Sequence, residues 1–349
     1  MRILSAASAF PPHYYPQTVL RDALKMFWGP RLENPRLLDR LWSNCGVDGR
    51  YLVRPMEEYP AIDTWGKAND IWIQAAEELG SEAICRALAG AGRSVADVGA
   101  LFFISITGVS SPSIDARLVN RMGLPRNIRR IPIFGLGCVG GAAGIARAAD
   151  YVRAYPDQIA VLLSVELCSL TMQHDDLSIA NQISAALFGD GAAAVVIGGE
   201  RVEGSGPRIV DTRSSFYPDT EDVMGWAISE QGFRIVLSPE VPDVIREHLG
   251  RDADEFLGLH GLTRGDIGSW VLHTGGPKIL EATQEALGIP ETAIGASWDL
   301  LRRTGNLSSA SVLLVLEETL AHRRPAPETW GILAAMGPGF CSELVLLRW

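Results

Sequence analysis

Three residues in this chain have types and surroundings suited to acyl chemistry: Cys138, His273 and Asn306. Cys138 lies in Gly137-Cys138-Val139-Gly140-Gly141-Ala142, between the apolar pair Ile133-Phe134 and an Ala/Gly helix that carries little charge. A cysteine at a helix start meets unsatisfied backbone N–H groups and the positive end of the helix dipole, both of which favour thiolate over thiol. The surrounding glycines leave room for a carbonyl to approach the sulfur. His273 opens His273-Thr274-Gly275-Gly276-Pro277-Lys278, a glycine-rich turn that follows an apolar run, as at the carboxyl edge of an α/β sheet. Asn306 stands in Gly305-Asn306-Leu307-Ser308-Ser309-Ala310, before another small-residue helix. A thiol, an imidazole and a neutral amide together suit covalent acyl transfer with a developing oxyanion to stabilise. A lone cysteine is as often plain core, and the framework that the three share separates the two cases.

That framework is a repeat. Ala96-Asp97-Val98-Gly99-Ala100-Leu101-Phe102-Phe103-Ile104 matches Gly265-Asp266-Ile267-Gly268-Ser269-Trp270-Val271-Leu272-His273 as an aspartate turn entering a buried strand. At nearly equal distances beyond the two aspartates, small-residue helices open at Cys138 and at Asn306. Each is followed by a further apolar strand, Ile159-Ala160-Val161-Leu162-Leu163-Ser164 or Trp330-Gly331-Ile332-Leu333-Ala334-Ala335. The chain reads as a tandem duplication, with a connector near Gly199 to Pro207 dividing it into halves 1–200 and 201–349. Strands alternating with helices in both halves predict a mixed α/β fold whose sheets are covered by helices. The two buried helices are expected to meet across a pseudo-twofold axis, with Cys138 and Asn306 at their adjoining ends.

The remaining sequence sets bounds. A chain of 349 residues, 47% hydrophobic and 21% charged, can bury one large core or two joined ones. Its net charge of −10 argues against nucleic acid or an anionic membrane as the main partner, because either needs a basic face. The N-terminal residues do not form a secretory signal and no run approaches a membrane span, so a cytoplasmic protein is expected. Five widely spaced cysteines without a C-x-x-C pair suggest free thiols, with neither a disulfide framework nor a zinc site. Ile3 to Ala9 reads as a strand, and Gln17 to Phe27 and Ile71 to Leu88 as helices. Arg36, Arg40 and Arg50 fall on a basic helix and turn between Asn34 and Tyr51.

Cys, His and Asn occur in this order in papain-like proteases, but the C-G-[SA]-C-[WY] context is missing and that fold has no internal repeat. A hydrolase elbow with cysteine for serine needs glycine where Leu136 stands, and a carboxylate partner. Decarboxylative carbon–carbon condensation on a duplicated thiolase-like scaffold accommodates every feature above.

Gly137-Cys138 with Gly140-Gly141, Leu187-Phe188-Gly189-Asp190-Gly191-Ala192, Trp270 to Pro277, Gly305 to Ala310 and Gly337-Pro338-Gly339-Phe340 resemble the chalcone synthase-like type III polyketide synthases over nearly the whole chain. The carrier-protein-dependent initiation enzymes of fatty-acid synthesis share Cys-His-Asn, but they carry His-Gln-Ala-Asn at the histidine and lack the Gly-Pro-Gly close. The resemblance implies an α/β thiolase-like fold, internally duplicated into five αβαβα layers with pseudo-twofold symmetry, and a homodimer. It implies no metal and no cofactor, with coenzyme A thioesters, an acyl-CoA starter and a malonyl-CoA extender, as the substrates.

The resemblance also assigns roles. Cys138 holds the acyl chain, with imidazolium His273 keeping it as thiolate. During extension, neutral His273 and the Asn306 amide donate to the malonyl thioester oxygen as it becomes an enolate, and Phe188 shields the site. Arg40, Lys278, Gly275 and Gly276 would hold coenzyme A. Leu37 and Asn44 stand where chalcone synthase has lysines, so Arg36 and Arg50 are candidates to compensate. The segment Met224 to Pro239 is similar to bacterial alkylpyrone and alkylresorcinol synthases. Ile106, Cys168, Thr171, Trp226, Ile235 and Ser308 are then implied to line an acyl cavity, with Trp226 as its possible floor. Fatty starters giving alkylpyrones or alkylresorcinols are the expected outcome. A single-round ketoacyl synthase, a ketoacyl-CoA hydrolase and a non-catalytic scaffold partner remain the alternatives.

Overall fold

The computed structural model describes all residues, Met1–Trp349. The first half runs β1 (Arg2–Ala9), β2 (His13–Pro16), α1 (Gln17–Trp28), α2 (Pro35–Ser43), β3 (Gly49–Leu52), α3 (Trp65–Gly90), β4 (Val98–Ile104), α4 (Ile114–Met122), β5 (Arg129–Ile133), α5 (Gly140–Ala154), β6 (Ile159–Leu167), α6 (Ile179–Leu187) and β7 (Asp190–Gly198). The second runs β8 (Arg208–Phe216), β9 (Met224–Ser229), β10 (Gly232–Leu237), α7 (Val241–Gly258), β11 (Ile267–Leu272), α8 (Pro277–Leu287), α9 (Gly295–Thr304), α10 (Ser311–His322), β12 (Trp330–Gly337) and β13 (Cys341–Arg348).

The sheet order β11-β12-β13-β8-β1-β7-β6-β4-β5 makes the duplication visible. Outward from β1 the order is β7, β6, β4, and outward from β8 it is β13, β12, β11. In both halves the successive pairings are antiparallel, antiparallel and parallel. Within the sheet the halves join at β1 and β8, where Arg2 pairs opposite Arg208. β5 is an extra parallel edge strand found only in the first half.

The two aspartates that marked the repeat have the same local job. Each closes a capping box on a 3₁₀ turn: Asp97 Oδ2 accepts from Ser94 N and Oγ at 2.7 and 2.9 Å, and Asp266 Oδ2 accepts from Thr263 N and Oγ1 at 2.8 and 2.7 Å. The strands that follow alternate between two cores. Ala100, Phe102 and Ile104 share an inner core with Ile145 of α5 and Leu313 of α10, while Leu101 and Phe103 face an outer one with α3. On the other side Val271 and Leu333 point inward, and Leu272 and Ile332 join the outer core that includes α7 and α8. The buried helices α5 and α10 thus form the middle of five αβαβα layers, the thiolase-like arrangement. Their closeness explains the glycines, because a Cβ at Gly141 would collide with the Ser309 carbonyl and one at Gly140 would lie 2.9 Å from Ile104.

Two features depart from the sequence reading. β2 and β3, on either side of α1 and α2, form a two-stranded antiparallel sheet that was not expected, and it carries Arg50 into the interior at 4% exposure instead of leaving it on a basic turn. α3 begins at Trp65 rather than near Ile71, because Thr64 caps it by accepting from Lys67 N at 3.3 Å. No helix is long and apolar enough to cross a membrane.

Candidate active site

Cys138 occupies a 3₁₀ turn, Gly137–Val139, at the entry to α5 and is 6% exposed. Gly137 has φ +53°, and a Cβ there would lie 2.7 Å from Pro338. A Cβ at Gly337 would approach Val139 N at 2.6 Å. The Gly337-Pro338-Gly339 loop is therefore packed directly beneath the cysteine turn, which accounts for glycine on both sides of the contact. From the second half, Ser308 meets Cys138, whose Sγ donates to Ser308 Oγ at 3.8 Å.

Asn306 is tied to the first half through its backbone, donating to Leu187 O at 2.9 Å and accepting from Gly189 N at 3.0 Å. Its amide orientation is also fixed. Oδ1 accepts from Ser308 N at 2.8 Å and from Ser311 Oγ at 3.3 Å, whereas Nδ2 has one long contact, 3.5 Å to Gly275 O. The acceptor end is spent and the donor end is left for a ligand. Ser308 adopts φ +46°, a left-handed conformation that costs a serine roughly 1–2 kcal/mol. From that conformation its N–H bonds Asn306.

His273 follows β11, and its N–H donates to Ala334 O of β12 at 3.1 Å. Both ring nitrogens are buried without a protein partner. Burial lowers its pKa to about 4. Burial also raises the Cys138 thiol to about 12, an effect partly opposed by the neighbouring Ser308 hydroxyl and Asn306 amide and reinforced by Glu166. A rise from 9.0 to about 12 disfavours the thiolate by roughly 4 kcal/mol, more than the up to about 2 kcal/mol a helix N-terminus supplies. Burial thus acts against both charges of the expected thiolate–imidazolium pair, which the contact between the two charges must offset.

Cys138, His273, Asn306 and Phe188 line one cavity of about 730 Å³. Arg40 and Lys278, both exposed, lie on the same cavity with Gly275 and Gly276. The space therefore runs from surface cations to a buried thiol, a shape suited to a long substrate with an anionic end and a reactive thioester. Arg36 is exposed and does not line it, and Arg50 is buried elsewhere.

The expected acyl wall is arranged differently. Ile106, Thr171, Trp226, Ile235 and Ser308 do not line this cavity. Ile106 is buried, with its N–H donating to Glu166 Oε2 at 3.2 Å, and Thr171 Oγ1 donates to Cys168 O at 2.8 Å. Trp226 and Ile235 pair across the β9–β10 hairpin, and the Trp226 ring lies 6.0 Å from Phe233, which also packs near Trp65 and Phe134. Position along a strand was legible, but the aromatic cluster that settles this hairpin is a tertiary feature. Cys168 lines a second, smaller cleft behind Phe188.

Sequence reasoning missed Glu166. It is fully buried on β6, accepts from Ser309 Oγ and, at 2.9 Å, from Thr107 Oγ1, and burial raises it to about 7. Ser309 also bonds Ser164 at 2.7 Å. A lone acid inside the apolar run Ile159 to Leu167 was the available signal.

Residues 3–201 match the family of chalcone and stilbene synthases, N-terminal domain, and residues 208–349 match its C-terminal domain. The chain belongs to the chalcone and stilbene synthase family. It is 49% identical over 350 residues to 1,3,6,8-tetrahydroxynaphthalene synthase of Streptomyces peucetius subsp. caesius, covering 99% of this chain and 93% of that one. A putative chalcone synthase of Bacillus subtilis is 35% identical over 99% of this chain and 98% of its own. Among solved structures, the bacterial type III polyketide synthase 1,3,6,8-tetrahydroxynaphthalene synthase from Streptomyces coelicolor A3(2) superposes with a TM-score of 0.95 at 31% identity, covering 100% of this chain and 99% of that one. As a chalcone and stilbene synthase family member, the chain is a type III polyketide synthase, an acyltransferase-type enzyme.

Proposed function

We propose that Cys138, His273 and Asn306 carry out iterative decarboxylative condensation of malonyl-CoA, followed by cyclisation. The observation that carries this reading is the single cavity lined by all three, in which the Asn306 amide keeps its donor end free. In loading, neutral His273 takes the Cys138 proton as sulfur attacks the starter thioester, and the departing coenzyme A thiolate recovers that proton.

In extension, the His273 N–H and Asn306 Nδ2 donate to the malonyl thioester oxygen. The malonyl carboxylate leaves as CO₂, and its bonding electrons form the enolate those donors stabilise. The enolate carbon attacks the acyl carbonyl on Cys138, the carbon–sulfur bond breaks, and the lengthened chain leaves on coenzyme A to reload the cysteine. A neutral amide suits this place because it cannot repel the growing negative charge. Arg40 and Lys278 would meet the phosphates of coenzyme A.

For the product, we favour a small polyhydroxylated aromatic built from malonyl units, of the kind named for the 49% identical relative. A fatty starter giving an alkylpyrone or alkylresorcinol is the second reading, supported by the apolar Ile245 and Leu249 on the deeper cavity wall. Incubating the enzyme with malonyl-CoA alone and with a panel of acyl-CoAs, then weighing the products, separates the two. A malonyl-only aromatic supports the first, and products that require fatty acyl-CoA overturn it. A cytoplasmic homodimer fits this reading, with β5 at a sheet edge beside the half-exposed Phe134 as the natural place for a second copy.

A further inference from the structure

Behind Phe188, the only wall it shares with the catalytic cavity, lies a cleft of about 140 Å³. It is bounded by α1, α6 and the 3₁₀ turns Met56–Ala61 and Cys168–Thr171, and it reaches the surface at Pro60. Leu20, Leu24, Phe27 and Met172 make its walls apolar. Ser169, His174 and Ser184 add polar groups, and Arg50 is the lining's one arginine or lysine. Arg50 is 4% exposed, and its guanidinium has no carboxylate within ion-pair distance. Nε donates to Gln17 Oε1 at 3.2 Å, Nη1 donates to Phe188 O at 2.6 Å, and Trp42 lies 5.3 Å from its centre, but Nη2 has no partner in the protein.

The nearby carboxylate, Asp190, is already engaged by Val53 N and Ser169 N, each at 2.8 Å, and by Ser169 Oγ. Arg50 stays cationic at neutral pH even though burial lowers it to about 10. A buried cation without an ion-pair partner is costly, and an anion that enters would offset that cost. Phosphate would need several charged donors, and Arg50 is the one arginine or lysine in the lining, with Ser169 Oγ and Tyr59 OH already engaged with Asp190 and with each other and burial disfavouring the charged form of His174. A carboxylate with a short hydrocarbon body fits both parts.

We propose that this cleft is a binding site for a small apolar monocarboxylate, with the carboxylate on Arg50 Nη2 and the hydrocarbon against Leu20, Leu24 and Phe27. The probe is hexanoate, titrated calorimetrically into the full-length protein beside hexan-1-ol and inorganic phosphate. Hexanoate should bind at least about tenfold tighter than hexan-1-ol, and phosphate should give no binding. Ala23→Phe, which fills the cleft, should abolish hexanoate binding. Arg50→Gln should remove the preference over the alcohol, and Lys278→Ala, at the mouth of the larger cavity, should leave hexanoate binding unchanged. Circular dichroism checks that each variant folds. Should Ala23→Phe not fold, the lost preference in Arg50→Gln carries the test. No hexanoate binding, equal binding of acid and alcohol, or binding that survives a folded Ala23→Phe would overturn the proposal.

Discussion

Phe188 and Asn306 lie side by side in a parallel backbone bridge, with Asn306 N donating to Leu187 O and Gly189 N to Asn306 O. An aromatic wall from the first half and an amide from the second are thereby held as one unit. Gly189 makes the bridge possible, since a Cβ there would lie 2.5 Å from Thr304 O. Gly189→Ala should cost roughly 1–3 kcal/mol in urea unfolding and slow malonyl decarboxylation more than starter loading. Unchanged stability and unchanged decarboxylation would show that the bridge does not position the amide.

Asn306→Ala should lose decarboxylation by about 10²–10³ while still forming the acyl-enzyme, as expected for removal of an oxyanion donor. Ser311→Ala should give a smaller loss in the same step, because Ser311 Oγ helps fix the amide through Oδ1 at 3.3 Å. Single-turnover decarboxylation assays read both, and normal rates in Asn306→Ala would exclude the role.

Much of this arrangement was readable because it rests on local chemistry repeated twice. Asp97 and Asp266 announce the same capped turn, and the glycines before α5 announce a close helix contact. Arg50 was not readable in the same way. Its neighbours Asp48, Gly49, Tyr51 and Leu52 mix acidic, small and apolar types with no clear period, and only the β2–β3 pairing brings it inside. The direction of Trp226 and Ile235 depends on Phe233, Trp65 and Phe134 meeting from distant segments. Burial pushes the Cys138 thiol upward, a tertiary effect that the helix-start signal alone could not weigh.

The protonation of Cys138 has a kinetic signature. With the Cys138 pKa raised to about 12, the rate of its alkylation by iodoacetamide should climb about tenfold per pH unit between about pH 6 and 10, without levelling off. A plateau through neutral pH, inflecting in the acid range, would indicate a thiolate–imidazolium pair in the free enzyme.

Glu166 gives a stability prediction with a definite sign. Its folded pKa is raised from 4.5 to about 7, so its protonated form favours the fold below about pH 4.5, and that contribution is lost as pH rises through about 7. Glu166→Gln does not ionise, so its stability relative to the parent should improve across that window by up to roughly 3 kcal/mol. Thermal melts at acid and alkaline pH test this, and a difference that is flat or falls with pH would contradict it.

The central claim is that Cys138 carries the growing chain. Its most direct test is intact-protein and peptide mass spectrometry after brief mixing with malonyl-CoA or an acyl-CoA starter, with products collected in parallel. The acyl adduct should sit on Cys138, and Cys138→Ala should fold but show neither the adduct nor the condensed product. An adduct on Cys45, which lines the same cavity, or undiminished product formation by Cys138→Ala, would contradict the account.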